Sequence, residues 1–362
     1  MWITELTLEG IMNILTDNAK ENTWYRKPLN SCVSSNGSPY NITLKKGKAN
    51  KLLINLVGGG LSWNQETAAR PLTISNMIRG KESFYIPSLS SLQLKLMHVG
   101  ILKAKDSRNP FYDWNIFNIP YTTADFHIGN NEFLYKDTKG ESRVMYHNGA
   151  KNVEVALATL KGYFDETPDI LVIAGQSAGA FGCVAHCPKI ISLYPDCKNT
   201  IVYSEGSHMH SPLWSNTVKN VWKASPNLQT YVKSNDLIVD LFHYAQDNTP
   251  PDILFLHSNS VWDVSLVKYM HKMNHGKMAV NSQALEEFHE TLLCVVRKLK
   301  SEIANYSYYL TDFGKNKNKA TPHIFSGTPK LFYSDMQDDF SIANWLRKAI
   351  EKKPIDIGKK FV

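Results

Sequence analysis

The 362-residue sequence contains few cysteines, no long apolar run and no cluster of basic residues. Its five cysteines are an odd and sparse set, which does not indicate a disulfide framework. No stretch of about 18 consecutive apolar residues occurs, so we expect no membrane-spanning helix. The net charge is +7, but no run of five or more Lys and Arg and no zinc-finger or RNA-binding signature is present. We therefore expect no nucleic-acid partner.

The first 22 residues lack the features of a signal peptide. They carry Glu5, Glu9 and Asp17, with no basic segment and no long apolar core. We therefore expect a cytoplasmic protein, or one that is exported without a recognisable signal. A signal that precedes the given sequence stays open and would make the protein secreted. The sequence also leaves the oligomeric state open.

Two interpretations of the cysteines near His186 stay open. Cys183, Cys187 and Cys197 lie close enough in the sequence to suggest a zinc site with this histidine. Alternatively, Cys183 and Cys187, four residues apart, share one buried helix face as free cysteines often do. We favour the second interpretation and expect no metal. No spacing rule decides whether Cys187 and Cys197 form a disulfide.

Short apolar runs alternate with helical patterns along the chain, which is typical of a parallel sheet with crossover helices. The predicted strands are residues 51–57, 114–121, 169–174, 200–203, 252–257 and 306–310. The predicted helices are residues 153–164, 178–193, 264–273, 283–301 and 339–351. The sequence therefore predicts an α/β protein, with residues 1–362 in a single domain. Residues 79–109 and 206–237 fit this pattern poorly and are predicted to be insertions that shape a substrate site.

The strongest local motif is Gly-Gln-Ser-Ala-Gly at residues 175–179, between a predicted strand and a predicted helix. This context is that of a nucleophile elbow, in which small residues two positions before and after the nucleophile relieve backbone crowding. The motif makes Ser177 the candidate nucleophile of an α/β-hydrolase. The alternative is a glycine-containing turn of a nucleotide-binding fold, but neither phosphate-binding glycine spacing is present here.

Three glycines, Gly58, Gly59 and Gly60, follow the first predicted strand. In α/β-hydrolases a loop at this place supplies backbone N–H groups that stabilise the oxyanion, together with the N–H that follows the nucleophile. The candidate donors are therefore Gly59, Gly60 and Ala178. Taken alone, three glycines indicate only a flexible turn.

The chain order of an α/β-hydrolase is nucleophile, acid and then histidine. Asp263 follows the predicted strand 252–257, and His323 lies in the loop beyond the last predicted strand, so they are the candidate acid and base. Other acids and histidines also occur in this part of the chain, at Asp312, Asp335, His257, His271, His275 and His289. Asp312 lies close to the candidate base in the sequence, and Asp335 precedes a predicted helix. The histidines at 271, 275 and 289 lie on predicted helices or helix ends, and His257 ends a predicted strand. These places favour structural roles.

Several segments, taken together with residues 175–179, resemble one known family. Cys32 with residues 36–40 (NGSPY) resembles an early Cys…Asp-Gly-Ser segment, and residues 56–64 (LVGGGLSWN) resemble a Gly-Gly-Gly-Trp-Cys-Trp-Asn segment. Residues 67–71 (TAARP) follow as in some bacterial members, and residues 119–129 are similar to a bacterial Tyr-Cys-x-Gly-Asp-x-His-x-Gly segment. The family is that of the pectin acetylesterases, which also contains the Notum carboxylesterases. The resemblance spans roughly residues 30–335.

The resemblance implies a three-layer αβα hydrolase that acts on carboxylic esters through an acyl-enzyme, without a metal or an organic cofactor. It gives the triad roles to Ser177, Asp263 and His323, and the oxyanion roles to the three backbone N–H groups named above. Plant and bacterial relatives remove acetyl groups from polysaccharide, whereas the Notum branch removes a fatty acyl group from a secreted protein.

The sequence departs from the family pattern near the glycines. Ser62 stands where the family has a cysteine, and another cysteine is missing near Thr122, which agrees with a reducing compartment. Leu61 replaces an aromatic residue, so the shape of the acyl site is open.

Three further residues in the similar segments are candidates for substrate contacts or for support behind the site, namely Trp63, Asp125 and His127. For Asp125 and His127 we favour a structural hydrogen-bonded pair at a strand end.

The leading functional hypothesis is hydrolysis of an O-acetyl ester on a carbohydrate. The first alternative is a long-chain carboxylesterase or deacylase that acts on lipid or acylated protein. The two differ in the cavity they need, because a fatty-acyl site requires a deep apolar pocket. Apolar residues of the two insertions were available to line it, namely Ile86, Leu89, Leu92, Leu94, Leu213 and Trp214. A non-catalytic binding protein of the same fold and an amide hydrolase are further alternatives.

Overall fold

The computed structural model describes residues 12–16 and 19–362. The expectation about a signal peptide falls largely on residues 1–11 and 17–18, which lie outside the described residues. The strands of the described part are β1 (Asn13–Ile14), β2 (Trp24–Val33), β3 (Pro39–Lys45), β4 (Lys51–Leu56), β5 (Asn115–Ile119), β6 (Asn131–Lys136), β7 (Ser142–His147), β8 (Ile170–Gln176), β9 (Thr200–Glu205), β10 (Leu254–Ser260) and β11 (Tyr306–Thr311).

The helices of the described part connect and cover these strands. They are α1 (Gln65–Ala68), α2 (Ile74–Ile78), α3 (Ser91–Leu96), α4 (Gly149–Lys161), α5 (Ala178–Ile191), α6 (Trp214–Asn216), α7 (Pro226–Tyr231), α8 (Leu237–Asp247), α9 (Val264–His275), α10 (Ser282–Glu302), α11 (Pro329–Phe332) and α12 (Ile342–Ile350). Short 3₁₀ helices occur at Gly100–Leu102 and Lys359–Phe361, and a π-helical turn at Thr217–Val221. None of the helices in the described ranges is both long and apolar enough to cross a membrane.

Nine of these strands form a central sheet in the order β1-β2-β3-β5-β4-β8-β9-β10-β11. The strands from β5 to β11 in that order are parallel to their neighbours, whereas β3 pairs antiparallel with both β2 and β5. β6 and β7 form a separate antiparallel hairpin. Because the carboxyl ends of parallel strands meet at one edge, the loops after β4, β8, β9, β10 and β11 lie close together there.

Successive residues of the parallel strands face opposite sides of the sheet. In β4, Ile54 belongs to the apolar core that also contains residues of α4, α5, α8 and α10, whereas Leu53 belongs to the core on the other side, which contains residues of α12. Val172 of β8 and Tyr203 of β9 also face the side that α12 covers. The layers are therefore helix, sheet and helix, which confirms the predicted α/β fold and its three-layer arrangement.

The six predicted strands of the parallel part are present, with bounds that differ by a few residues from those predicted. The hairpin β6–β7 and the antiparallel strands β2 and β3 were not predicted. β2 carries Arg26, Lys27 and Pro28 among its apolar residues, so no clear strand pattern shows in the sequence. The helix predicted to begin at residue 153 begins at Gly149 instead.

Candidate active site

Ser177 occupies the turn between β8 and α5, and its backbone conformation is strained. Its φ is 55° and its ψ is −124°, a region that residues other than glycine rarely adopt. A Cβ at Gly175 would lie 2.0 Å from the Gly179 carbonyl oxygen, and a Cβ at Gly179 would lie 2.0 Å from the Leu56 oxygen. Both flanking glycines are thus required by close backbone contacts, as the sequence argument expected.

The glycine loop after β4 lies directly against this turn. A Cβ at Gly58 would lie 2.4 Å from the Gln176 carbonyl oxygen and 2.9 Å from the Ala178 nitrogen. Gly59, Gly60 and Ala178 line the same cavity as Ser177. Their backbone N–H groups donate no hydrogen bond to any residue that the structure describes. The loop and the helix start therefore present unused donors beside the serine.

Asp263 and His323 are joined by a hydrogen bond, although 60 residues separate them in the chain. His323 Nδ1 donates to Asp263 Oδ2 at 2.6 Å. The other carboxylate oxygen, Oδ1, accepts the backbone N–H groups of Ser265 and Leu266 at 2.9 Å each and caps α9. The carboxylate is only 1% exposed and is held by three donors. With Nδ1 protonated, the other imidazole nitrogen, Nε2, is left as an acceptor.

The charges around His323 favour its protonated form. Burial lowers the pKa of the imidazole, but the charge and hydrogen bond of Asp263 and the charge of Glu205 together raise it above its ordinary value. These surroundings stabilise the imidazolium that forms when His323 accepts a proton.

Ser177 and His323 line one cavity, but no hydrogen bond joins their side chains in the structure. Contacts of this kind are often long without substrate and shorten when the substrate binds. The structure brings together the three side chains that the sequence selected. The contact between Asp263 and His323 is formed, and that between Ser177 and His323 is open.

Glu205, at the end of β9, was not selected by the sequence analysis. Its carboxylate is fully buried and accepts the backbone N–H of Phe325 at 2.9 Å and that of Ser326 at 3.1 Å, together with the Ser326 hydroxyl. Its own backbone oxygen accepts the Ser177 N–H at 2.8 Å. Glu205 therefore holds both the turn that carries Ser177 and the loop that carries His323. A single acidic residue at the end of an otherwise uncharged strand was the only signal in the sequence.

Trp63, Asp125 and His127 lie behind the site, and none of them lines the cavity within the described residues. Asp125 accepts the Thr123 hydroxyl at 2.6 Å, the backbone N–H of His127 at 3.1 Å and that of Gly149 at 2.7 Å. Burial raises the pKa of this carboxyl to about 6. The hydrogen bond between Asp125 and His127 thus runs to the backbone of His127 and not to its imidazole.

The His127 imidazole supports the glycine loop. Its Nε2 donates to the carbonyl oxygen of Val57 at 2.9 Å, immediately before Gly58. Burial lowers the pKa of His127 to about 3, so the ring stays neutral. His127 therefore positions the glycine loop, while Trp63 packs edge-on against Phe84.

A row of side-chain amides crosses the sheet below the cavity. Gln176 Nε2 donates to Asn55 Oδ1 at 2.9 Å, and Asn55 Nδ2 donates to Asn118 Oδ1 at 2.9 Å. Asn118 Nδ2 in turn donates to the Thr43 hydroxyl at 3.1 Å. The row joins β8, β4, β5 and β3, and Gln176 and Asn55 line the cavity.

The cavity beside Ser177 has a volume of about 540 Å³, and its walls are mostly apolar. The lining residues besides the candidate site residues include Leu61, Leu72, Tyr85, Ile86, Leu96, Met97, Val99, Ile101, Leu102, Phe126, Phe181, Met209, Leu266, Tyr269 and Ile324. This size lies within the range typical of pockets for small organic ligands.

The two predicted insertions contribute unequally to this cavity. Residues 79–109 supply much of its wall, whereas residues 206–237 supply Met209. The second segment instead places Trp214 and Trp222 against Phe126 and Phe181, which line the cavity. Of the six apolar residues proposed from sequence, Ile86 is the member that lines the cavity within the described residues.

The remaining sequence candidates lie elsewhere. All five cysteines are free, with Cys183 and Cys187 buried in α5, so the interpretation of a shared buried face describes them. Within residues 12–16 and 19–362, no group of three or more His, Cys, Asp or Glu side chains is placed to hold a metal ion. Asp312 makes ion pairs with lysines at the surface, and His257 is buried against Ser207 and Tyr306.

Comparison with known proteins bears on the first two thirds of the chain. Residues 20–239, more than half of the sequence, match the pectinacetylesterase family. The match includes Ser177, Gly59, Gly60 and Ala178 and ends before Asp263 and His323. No curated protein matches the sequence with significance. The chain therefore belongs to the pectinacetylesterase family and is an acetylesterase-like hydrolase of ester substrates.

Proposed function

We propose that this protein is a serine esterase that hydrolyses carboxylic esters through an acyl-enzyme, with Ser177 as nucleophile, His323 as base and Asp263 as the acid that orients it. One observation carries the proposal. A serine on a strained strand-to-helix turn and a histidine whose Nδ1 is bound by a buried carboxylate open into the same cavity. This is the set of roles that a hydrolytic triad needs, whatever the fold.

The proposed reaction follows from this arrangement. His323 Nε2 accepts the Ser177 hydroxyl proton while Oγ attacks the ester carbonyl carbon. The N–H groups of Gly59, Gly60 and Ala178 stabilise the oxyanion, which collapses and expels the alcohol with the proton from His323. Water then attacks the acyl-enzyme, again through His323, and the carboxylic acid leaves with Ser177 restored.

Two substrate classes are supported by different observations. Family membership supports an O-acetyl ester on a carbohydrate. The cavity of about 540 Å³ with mostly apolar walls supports an ester with a longer apolar acyl group, because an acetyl group fills only a small part of it. Burial of each additional methylene contributes about 0.8 kcal/mol, so a chain that fills the cavity binds much better than acetate.

The test is the hydrolysis of p-nitrophenyl esters from acetate to palmitate by the wild type and by Ser177→Ala. We expect Ser177→Ala to reduce kcat by at least about 10³-fold, because the nucleophile is lost. Ser83→Ala is the matched control, since Ser83 lines the same cavity but has no role in the proposed reaction.

The chain-length optimum then decides between the substrate classes. An optimum at acetate supports the carbohydrate acetylesterase, and an optimum at roughly eight or more carbons, which fill more of the cavity, supports the longer acyl chain. If the wild type is inert on every ester, or if Ser177→Ala retains full activity, the proposed mechanism is wrong and the non-catalytic binding protein becomes the better hypothesis.

A further inference from the structure

The described residues expose large apolar side chains unevenly over the surface. Six of the twelve large apolar residues that are exposed fall between residues 72 and 96. We call these six the apolar rim, and they are Leu72, Ile74, Met77, Ile78, Leu92 and Leu96. Such clustering marks an interaction site more often than a random surface does.

The rim residues share faces of two short helices. Ile74, Met77 and Ile78 stand at positions i, i+3 and i+4 of α2, so they lie on one side of it. They are 78%, 64% and 81% exposed, which is nearly complete for side chains of this type. Leu92 and Leu96 are likewise one turn apart on α3.

The apolar rim is continuous with the cavity. Leu72 and Leu96 are exposed to solvent and also line the cavity. α2 lies between Leu72 and Ser83, both of which belong to the cavity wall. The exposed face of α2 therefore stands at the mouth of the cavity that contains Ser177.

The segment that contains α2 is fixed at both of its ends. The Leu72 N–H donates to the Tyr85 oxygen at 2.7 Å, and the Tyr269 hydroxyl donates to the Phe84 oxygen at 2.7 Å. Phe84 itself is fully buried. The exposed apolar side chains of α2 thus stand on a segment whose two ends are fixed to the rest of the protein.

The charges beside the rim are positive. Arg79, Lys81 and Lys95 are exposed and make no ion pair with any residue in the described ranges. The acidic residue of the same segment, Glu82, is already paired with Arg70. Apolar side chains flanked by free cations are the pattern of a surface that inserts at an anionic lipid interface.

We propose that the apolar rim docks onto an anionic lipid surface and holds the mouth of the cavity against it. The apolar side chains of α2 and α3 enter the interfacial layer, and Arg79, Lys81 and Lys95 contact the lipid phosphates. The proposal concerns binding, so it does not depend on the proposed catalytic residues.

The experiment measures binding of the full chain to vesicles, with Ser177→Ala used throughout so that no hydrolysis occurs. Co-sedimentation is compared for vesicles of phosphatidylcholine alone and of phosphatidylcholine with phosphatidylglycerol. We expect binding to the anionic vesicles that weakens with added salt. Ile74→Ser with Ile78→Ser should reduce it about 100-fold, at about tenfold for each isoleucine removed from the interface.

Leu134→Ser is the matched control, because Leu134 is 73% exposed on the separate hairpin and does not line the cavity. It should bind like the parent. The double variant, made also with Ser177 intact, should unfold at the temperature of the wild type and turn over a soluble short-chain ester at the same rate.

Several results would overturn the proposal. These are the absence of binding to anionic vesicles, equal loss of binding in Leu134→Ser, and a dimer in solution that the double variant abolishes, which would assign the rim to a second copy. Failure of the proposed esterase function would appear separately, as inertness of the wild type toward soluble esters.

Discussion

Replacing Gly58 with alanine tests the contact between the glycine loop and the turn that carries Ser177. The added Cβ would lie 2.4 Å from the Gln176 oxygen and 2.7 Å from the Ser177 Cβ, whereas ordinary contact begins at 3.4 Å. Both neighbours belong to the turn itself, so no flexible side chain can move aside. The loop and the turn must separate by about 1 Å.

The expected cost follows from that displacement. A misplacement of about 1 Å in a catalytic arrangement reduces turnover by about 10²-fold. Because the loop carries the proposed oxyanion donors, the loss should appear mainly in kcat, with KM changed little. Overpacking of this kind also lowers the free energy of unfolding by about 1–3 kcal/mol.

The assay is kcat and KM on the best p-nitrophenyl ester, with thermal unfolding measured on the same samples. Gly162→Ala is the matched control, since its Cβ would meet nothing closer than the Thr159 oxygen at 3.4 Å. If Gly58→Ala keeps wild-type kcat, the loop does not carry the oxyanion donors. If both glycine variants lose activity equally, the loss is unspecific and the reasoning fails.

Two other predictions concern charge and thiol exposure. The proposed base works when His323 is neutral, and its pKa is raised, so kcat/KM should fall on the acid side with an apparent pKa above the ordinary value of about 6.5. Glu205→Gln removes one charge that raises this pKa, so the acid limb should move to lower pH, and an unmoved limb would contradict the role given to Glu205. Cys294 is exposed, whereas burial raises the pKa values of Cys183 and Cys187, so a thiol reagent should label Cys294 rapidly and the other two only on unfolding. If the Cys294→Ser variant is still labelled rapidly at two or more cysteines, this arrangement of the thiols is wrong.

The parallel part of the fold was predictable because its strands are buried on both faces and read as apolar runs. The antiparallel edge was not, because β2 has a mixed pattern with Pro28 inside it and the exposed hairpin β6–β7 has few buried side chains. β3 also pairs with β5, which lies far from it in the sequence, and no local pattern reveals that pairing.

The candidate site was predictable where a residue stands at a fixed place in chain order. Ser177 lies in a motif, and Asp263 and His323 follow strands in the expected order; the structure brings the last two within hydrogen-bonding distance, while their catalytic roles stay predictions. Glu205 could not be identified, since its contacts with Phe325 and Ser326 exist only in the folded chain. The size of the cavity depends on how residues 79–109 pack around it, and no local sequence pattern reveals that packing.

The row of amides from Gln176 to Thr43 has a direction. Each amide donates its NH₂ group to the neighbour nearer β3. The row therefore ends, on the side of the cavity, at the side-chain oxygen of Gln176. This oxygen accepts no hydrogen bond from the rest of the described chain. The wall therefore offers an acceptor at this point, to which a hydroxyl group of a substrate can donate. Rotating one amide alone would set two like groups against each other, so the amides of Gln176, Asn55 and Asn118 keep one common direction, and the group that Gln176 presents to a substrate depends on side chains two strands away.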